Sequence, residues 1–295
     1  MTDSEARQGI FVAVDGSPAG KAAVDWAARD AALRGASLTL VHVLPTTDMQ
    51  TWLEVPTPEF FSELVRDQGR EVLREALKVA QEATVDNPIV VHELTAEGHT
   101  VPTLVEVSRD AQLLVVGRRG LGRFGRLFLG SVSSGLLHHA HCPVAVIHDE
   151  DPLMTVPDQA PVVVGIDGSP ASELATAIAF EEASRRGVGV VAVHAWSDST
   201  VYLFPSEEWM NFQPQAERIL AEQLAPWQDR YPDVPVQQEA VQDHPASILL
   251  EHADSAQLVV VGSHGRGGFA GMLLGSVGSA VAQSARMPVI VARQA

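Results

Sequence analysis

Residues 11–20 read FVAVDGSPAG, and residues 163–172 read VVGIDGSPAS. In each, an apolar, β-branched run breaks at Asp-Gly and a Ser-Pro pair follows. That is the order of a strand turning into a helix: glycine permits the tight turn, serine suits the N-cap and proline the first helical position. The same turn at an offset of 152 residues means that the chain repeats itself. A second stretch repeats as well: QLLVVGRRGLGRFGRLFLGSVSSG at 112–135 returns as QLVVVGSHGRGGFAGMLLGSVGSA at 257–280, at an offset of 145. Between 112–147 and 257–292, 17 of 36 positions are identical without a gap, so the seven-residue difference in offset falls in the middle of each half. A period of this size is a duplicated domain and not a solenoid repeat. The domains expected are 1–150 and 158–295, joined by DEDPLMTVPDQAP (149–161) with its three prolines and four acids.

Working outward, each half alternates strand and helix. Strands are expected at 10–14, 37–44, 89–94, 113–117 and 143–148, with helices over 17–35, 59–86, 100–110 and 131–140. The second half repeats the strands at 162–166, 188–196, 234–241, 258–262 and 288–292. Short apolar runs suit parallel strands buried on both faces, and the alternation implies crossover helices. The fold class is therefore α/β: two tandem, doubly wound, five-stranded parallel-sheet domains of Rossmann-like type. In such sheets ligands bind beyond the carboxyl ends of the strands, where the strand order reverses.

Composition narrows the ligand. The 295 residues carry 37 acidic against 20 basic side chains, a formal charge of −17, which opposes binding to nucleic acid or an anionic membrane. Only Lys21 and Lys78 are lysines, so lysine-dependent phosphoryl transfer has few candidates. Cys142 is alone, which excludes an internal disulfide. The N-terminal MTDSEARQGIF lacks the order of a signal peptide, and no apolar run approaches the roughly 18 residues of a membrane span. A cytoplasmic location is expected.

Two motifs lie at the strand ends. In Asp15-Gly16-Ser17-Pro18 and Asp167-Gly168-Ser169-Pro170 the last three residues need no function beyond turn and cap. The aspartate admits two readings, contact with a ligand or local turn chemistry. The second motif is Gly117-x2-Gly120-x9-Gly130-Ser131, repeated as Gly262-x2-Gly265-x9-Gly275-Ser276. Its first glycines follow a strand and its last opens a helix, whose unpaired N–H groups favour an anion. Ser131, Ser133, Ser276 and Ser279 can add hydroxyl donors. This is a phosphate cradle, although neither the Walker A pattern nor G-x-G-x-x-G in register is present. Arg118, Arg119, Arg123 and Arg126 crowd the first loop, either to neutralise an oligophosphate or as ordinary solvated arginines. The second loop has Ser263, His264, Gly268 and Gly271 there, with Arg266 its only arginine. The first site is therefore expected to bind an anion more tightly.

These motifs resemble the ATP-binding class of the universal stress protein family, across both halves, and most closely its tandem-domain members of mycobacterial type. The resemblance implies a nucleotide-holding stress or dormancy regulator, bound to ATP with Mg2+ as companion ion and assembled as a homodimer, with an unidentified regulatory protein as partner. It implies no catalytic residues; slow ATP hydrolysis or adenylyl transfer, and a nucleotide-independent dimeric scaffold, are the alternatives. It puts Asp15, Val43, Asp167 and Ala195 on the adenine side. Gly117, Gly120, Gly262 and Gly265 fall by the ribose and phosphates, and Gly130, Ser131, Ser133, Gly275 and Ser276 on the phosphates. Gly16, Gly168, Val132 and Val277 lie inside the same motifs and, with Arg119, complete the candidate contacts. Gly278 departs, standing where a hydroxyl is expected.

Several sharper readings weaken on inspection. The HHAHC segment (His138, His139, His141, Cys142) suggests a metal, yet its second-half equivalents are Gln283, Ser284, Arg286 and Met287, and adjacent residues at a helix end diverge. His42 and His194 recur within the second strand of each half, where a structural role is expected. Trp52 and Trp209 fall in irregular stretches suited to a lid, a subunit contact or edge packing. The last strands, PVAVIH and PVIVA, lie at sheet edges, where pairing of the halves or of two chains is expected.

Overall fold

A computed structural model describes residues 9–45, 59–119, 129–148, 159–196, 212–265 and 274–293. The chain divides into two compact units, Met1–Asp149 and Glu150–Gln294. The N-terminal unit runs β1 (Ile10–Ala13), α1 (Pro18–Arg34), β2 (Leu38–Leu44), α2 (Glu59–Ala83), β3 (Val91–Glu97), α3 (Thr100–Val107), β4 (Leu113–Gly117), α4 (Ser131–His139) and β5 (Val144–Ile147). Its strands are parallel in the order β3-β2-β1-β4-β5, so the order reverses between β1 and β4. The C-terminal unit repeats this as β6 (Val162–Gly165), α5 (Pro170–Arg186), β7 (Val190–Ala195), α6 (Phe212–Arg230), β8 (Val236–Val241), α7 (Pro245–Ala253), β9 (Leu258–Gly262), α8 (Ser276–Ser284) and β10 (Val289–Ala292). Its order is β8-β7-β6-β9-β10, again parallel, with the reversal between β6 and β9. The fold is the tandem doubly wound α/β arrangement.

The turn that opens each unit works as its residues dictate. Ser17 Oγ accepts from the Gly20 N–H at 3.0 Å, and Ser169 Oγ from the Ser172 N–H at 3.2 Å. Such a cap is worth about 1 kcal/mol. Both helices end on a left-handed glycine, Gly35 at φ 63° and Gly187 at φ 66°, where a side chain would be strained. α1 buries an alanine-rich face (Ala19, Ala23, Ala27, Ala28, Ala31), which lets it lie close on the sheet. In α5 the equivalent of Ala28 is Phe180, fully buried, with its ring 6.2 Å from Trp227 of α6 and 6.0 Å from Tyr231 just past it.

The outermost strands differ from expectation. β3 and β8 are not buried on both faces: His92, Glu93 and Glu97 in β3 and Gln237 and Gln238 in β8 are exposed. Each is last in its order with one strand neighbour, and polar side chains there discourage pairing with another chain. β3 also starts later and ends later than its apolar run, because it pairs with β2 from Leu38↔Val91 through Leu44↔Glu97.

Candidate functional site

The strand reversal between β1 and β4 opens a cavity of about 720 Å³ at the carboxyl ends of the strands. It is lined by Ala13–Asp15, Val41–Val43, Val116, Gly117, Arg119 and Leu129–Ser134, together with Gly20, Thr100 and Leu104. Val14, Val41, Val43, Leu104 and Val116 supply an apolar wall suited to a flat ring, while Arg119 and the start of α4 supply positive potential.

Asp15 makes the local turn bond and faces the cavity. Its Oδ1 accepts from the Ser17 N–H at 2.9 Å. A Cβ on Gly20 would lie 2.9 Å from that oxygen, so Gly20 makes room for the carboxylate. Gly16, at φ 80°, is a turn glycine beneath Val72 and is not among the lining residues.

Gly117 has a packing reason beyond ligand approach. A Cβ there would stand 2.7 Å from the backbone of Ala19, and one on Gly262 would stand 2.9 Å from that of Ala171. The bare glycine lets the strand end meet the first turn of the next helix. Gly130 is the N-cap of α4, at φ −63° and ψ 157°, with no side-chain cap. Its carbonyl takes the Ser134 N–H at 2.9 Å, and the N–H groups of Ser131, Val132 and Ser133 precede the first intrahelical bonds.

Ser133 departs from the role the resemblance implies. It is 1% exposed, and its hydroxyl donates to the carbonyls of Arg118 at 2.8 Å and Gly117 at 3.2 Å. The hydroxyl proton therefore fastens α4 to the end of β4. Ser131 is exposed and lines the cavity.

Of the arginine cluster, Arg119 lines the cavity, whereas Arg118 is 5% exposed and outside the lining. Gly120, Arg123, Arg126, Arg266, Trp52 and Trp209 lie outside the described residues. His42 Nδ1 sits 2.8 Å from the Val14 carbonyl and His194 Nδ1 2.7 Å from that of Ile166. A carbonyl only accepts, so Nδ1 holds the proton and each imidazole ties the ends of two strands together. His42 lines the cavity too. Thr100, Leu104 and Leu129 were not singled out by the sequence; only the placement of Thr100 at the start of a helix after a strand hinted at it. Among the described residues no group of three or more His, Cys, Asp or Glu is placed to hold a metal, and no helix is long and apolar enough to cross a membrane.

The second unit repeats the turn and the helix start of the first. Asp167 Oδ1 accepts from the Ser169 N–H at 2.9 Å, and Gly168 is left-handed at φ 75°. Asp167 Oδ2 abuts Gly265, where an added Cβ would collide with it. Gly275 caps α8 without a side-chain bond, ahead of Ser276 and Val277. Ala195 closes β7 in register with Val241. A Cβ on Gly278 would be 3.0 Å from the Gly262 carbonyl, so the unit lacks the hydroxyl tie that Ser133 makes in its twin.

Comparison with known proteins agrees with the duplicated fold. The profile of the Universal stress protein family matches residues 7–148 and 160–293. A universal stress protein of Mycobacterium tuberculosis strain H37Rv is 55% identical over 295 residues, covering 100% of this chain and 99% of the relative. A crystal structure of a universal stress protein from Archaeoglobus fulgidus superposes with a TM-score of 0.71 at 20% identity, covering 98% of this chain and 97% of that one. A universal stress protein solved in complex with cAMP matches at 27% identity and a TM-score of 0.38, covering 49% of this chain and 99% of its own.

Proposed function

The chain belongs to the universal stress protein family, and from that premise we propose that it is a cytoplasmic regulatory module that holds ATP, with Mg2+ as companion ion, and whose occupancy modulates conformation or partner binding. The observation that supports this most is the convergence, on one cavity, of an apolar wall, the Asp15 carboxylate, Arg119 and the uncapped start of α4. Its size of about 720 Å³ falls within the roughly 300–1,000 Å³ of small-molecule and cofactor sites. A flat ring packs against the aliphatic wall, hydroxyl donors suit the carboxylate, and phosphates suit the helix end. Each element is a binding contact, and holding the nucleotide is the role the set supports. In the second unit Asp167, Gly265, Gly275 and Ser276 would hold a second nucleotide. A homodimer acting on a further protein completes the proposal.

Mass spectrometry of the purified, denatured protein tests it. Two adenine nucleotides per chain are expected; one per chain means that a single unit binds, and none that also fails to return on titration with ATP and Mg2+ overturns the reading. Gly130→Asp is the matching variant. Aspartate is a favoured N-cap in this ordinary backbone conformation, so the helix keeps its start while a carboxylate takes the place of the anion.

A further inference from the structure

The ladder between β1 and β2 stops one rung early, and a histidine side chain takes the carbonyl that the next rung would use. Even-numbered residues of β2 bond towards β3: Leu38 N–H donates to the Val90 carbonyl at 2.9 Å, and the Leu44 carbonyl accepts from Gly98 N–H at 3.0 Å. Odd-numbered positions turn to β1, where the Ser37 and Val41 carbonyls accept from the Ile10 and Val14 N–H groups, both at 2.9 Å. A further parallel rung would carry the Val43 N–H to the Val14 carbonyl. Pairing ends instead at Ala13↔Val41, and the Val14 carbonyl is met by His42 Nδ1 at 2.8 Å. Among the described residues nothing bonds to the Val43 N–H or carbonyl.

The C-terminal unit repeats the arrangement. Ile166 N–H donates to the Val193 carbonyl at 2.8 Å, and pairing ends at Gly165↔Val193. His194 Nδ1 then takes the Ile166 carbonyl at 2.7 Å. Ala195 stands where Val43 stands, again with no bond on that side among the described residues. In the N-terminal unit the ring is also held by α2. A Cβ on Gly69 would lie 3.0 Å from His42 Cδ2 and 3.4 Å from Nε2, so the bare glycine lets the helix close on the imidazole. His42 and Val43 both line the cavity, beside Val14 and Asp15. One extended residue thus offers a donor and an acceptor side by side, which suits a base edge carrying a ring nitrogen next to an amino group.

We infer that His42 is a positioning residue for a nucleobase: its Nδ1 proton satisfies the Val14 carbonyl, ends the ladder there and reserves the Val43 backbone for the ligand. His194 serves Ala195 in the same way. The inference rests on the nucleotide reading above and deepens it, naming what keeps a base-reading backbone open. Val14 is buried, and a buried carbonyl without a donor is costly. Without the imidazole it would draw the Val43 N–H into one more rung, and the ligand would have to break that rung.

Two substitutions separate the proton from the ring. His42→Phe keeps a flat ring without the donor, whereas His42→Asn supplies an amide N–H in place of Nδ1. Both are made in the full chain carrying Gly275→Asp, the counterpart of Gly130→Asp, so that the N-terminal unit alone is read. Urea melts confirm that each chain is folded. In calorimetry the ATP affinity is expected to fall about tenfold for His42→Phe and to stay within about threefold for His42→Asn. Amide hydrogen exchange gives the readout that a merely structural histidine would not move. With His42 present, the Val43 amide should exchange faster than that of Val41 and slow when ATP is added; in His42→Phe it should be slow before ATP is added. A Val43 amide as protected as Val41 in the nucleotide-free parent, undiminished ATP binding by His42→Phe, or an equal loss in His42→Asn overturns the inference and spares the nucleotide reading. A parent chain that binds no ATP overturns both.

Discussion

The two units share a strand order and differ at a few positions around the cavity, and the duplication acts as an internal control. Glycines with a geometric reason recur in both: Gly16 and Gly168 in left-handed turns, Gly117 and Gly262 against a helix backbone, Gly35 and Gly187 at helix ends. At other positions the units diverge, each with its own local arrangement. Gly20 beside the Asp15 carboxylate becomes Ser172, whose hydroxyl accepts from the Asp167 N–H at 3.1 Å. The pair Arg118-Arg119 becomes Ser263-His264, and Ser133 becomes Gly278. The fold tolerates both sets, so the fold does not dictate them.

The strongest way to break this comparison is to put a charge where an anion should sit. Gly130→Asp is expected to weaken ATP binding to the N-terminal unit by about 100-fold, the loss of about two charge-assisted bonds, and to lower the calorimetric stoichiometry by one site. An unchanged stoichiometry would show that the start of α4 is not the phosphate site. Next in size is Gly117→Ala, whose Cβ would stand 2.7 Å from the Ala19 backbone. It should destabilise the chain by about 1–3 kcal/mol in urea denaturation. Gly35→Ala, with nothing within 4 Å, should cost only the strain of its left-handed φ, about 1 kcal/mol. Equal losses would mean that strand–helix approach is not what the strand-end glycine provides.

The comparison is sharpened by affinity. With the other site disabled in each case, the N-terminal unit is expected to bind ATP about tenfold more tightly at pH 8, the difference a cationic partner makes. Equal dissociation constants would remove the role given to Arg119. The smallest effect falls to Ser133→Ala, which removes two hydrogen bonds to carbonyls at the end of β4. A loss of stability of about 1 kcal/mol is expected, with ATP affinity changed less than about threefold. A large loss of affinity with stability intact would return its hydroxyl to the phosphate.

Much of the fold was legible because its signals are local. The strand at 113–117, and its twin at 258–262, have the limits their apolar runs define, since Gln precedes and glycine ends each. Ser17, Pro18 and Gly35 mark the limits of α1 for reasons of hydrogen bonding and φ. β3 was less legible, because its partner β2 drew Thr95, Ala96 and Glu97 into the ladder although no apolar run reaches them. Asp15 and Gly130–Val132 could be read from motifs that repeat, and Arg119 and Ser133 from positions inside them; Thr100 and Leu104, brought in by α3, belong to no such pattern.

The sequence by itself determined the duplication, the alternation of strand and helix, the caps, and the residues that turn at each strand end. These follow from propensity, from φ, and from hydrogen bonds spanning a few residues. Only the tertiary structure decided which of these residues share a cavity, because the reversal of strand order joins segments roughly a hundred residues apart. It also decided how each polar atom is used. Asp15 divides itself between its turn and the cavity, and the Ser133 hydroxyl goes to carbonyls 15 and 16 residues away. A buried hydroxyl donates to whatever acceptor packing brings within reach, and packing is settled by the whole unit.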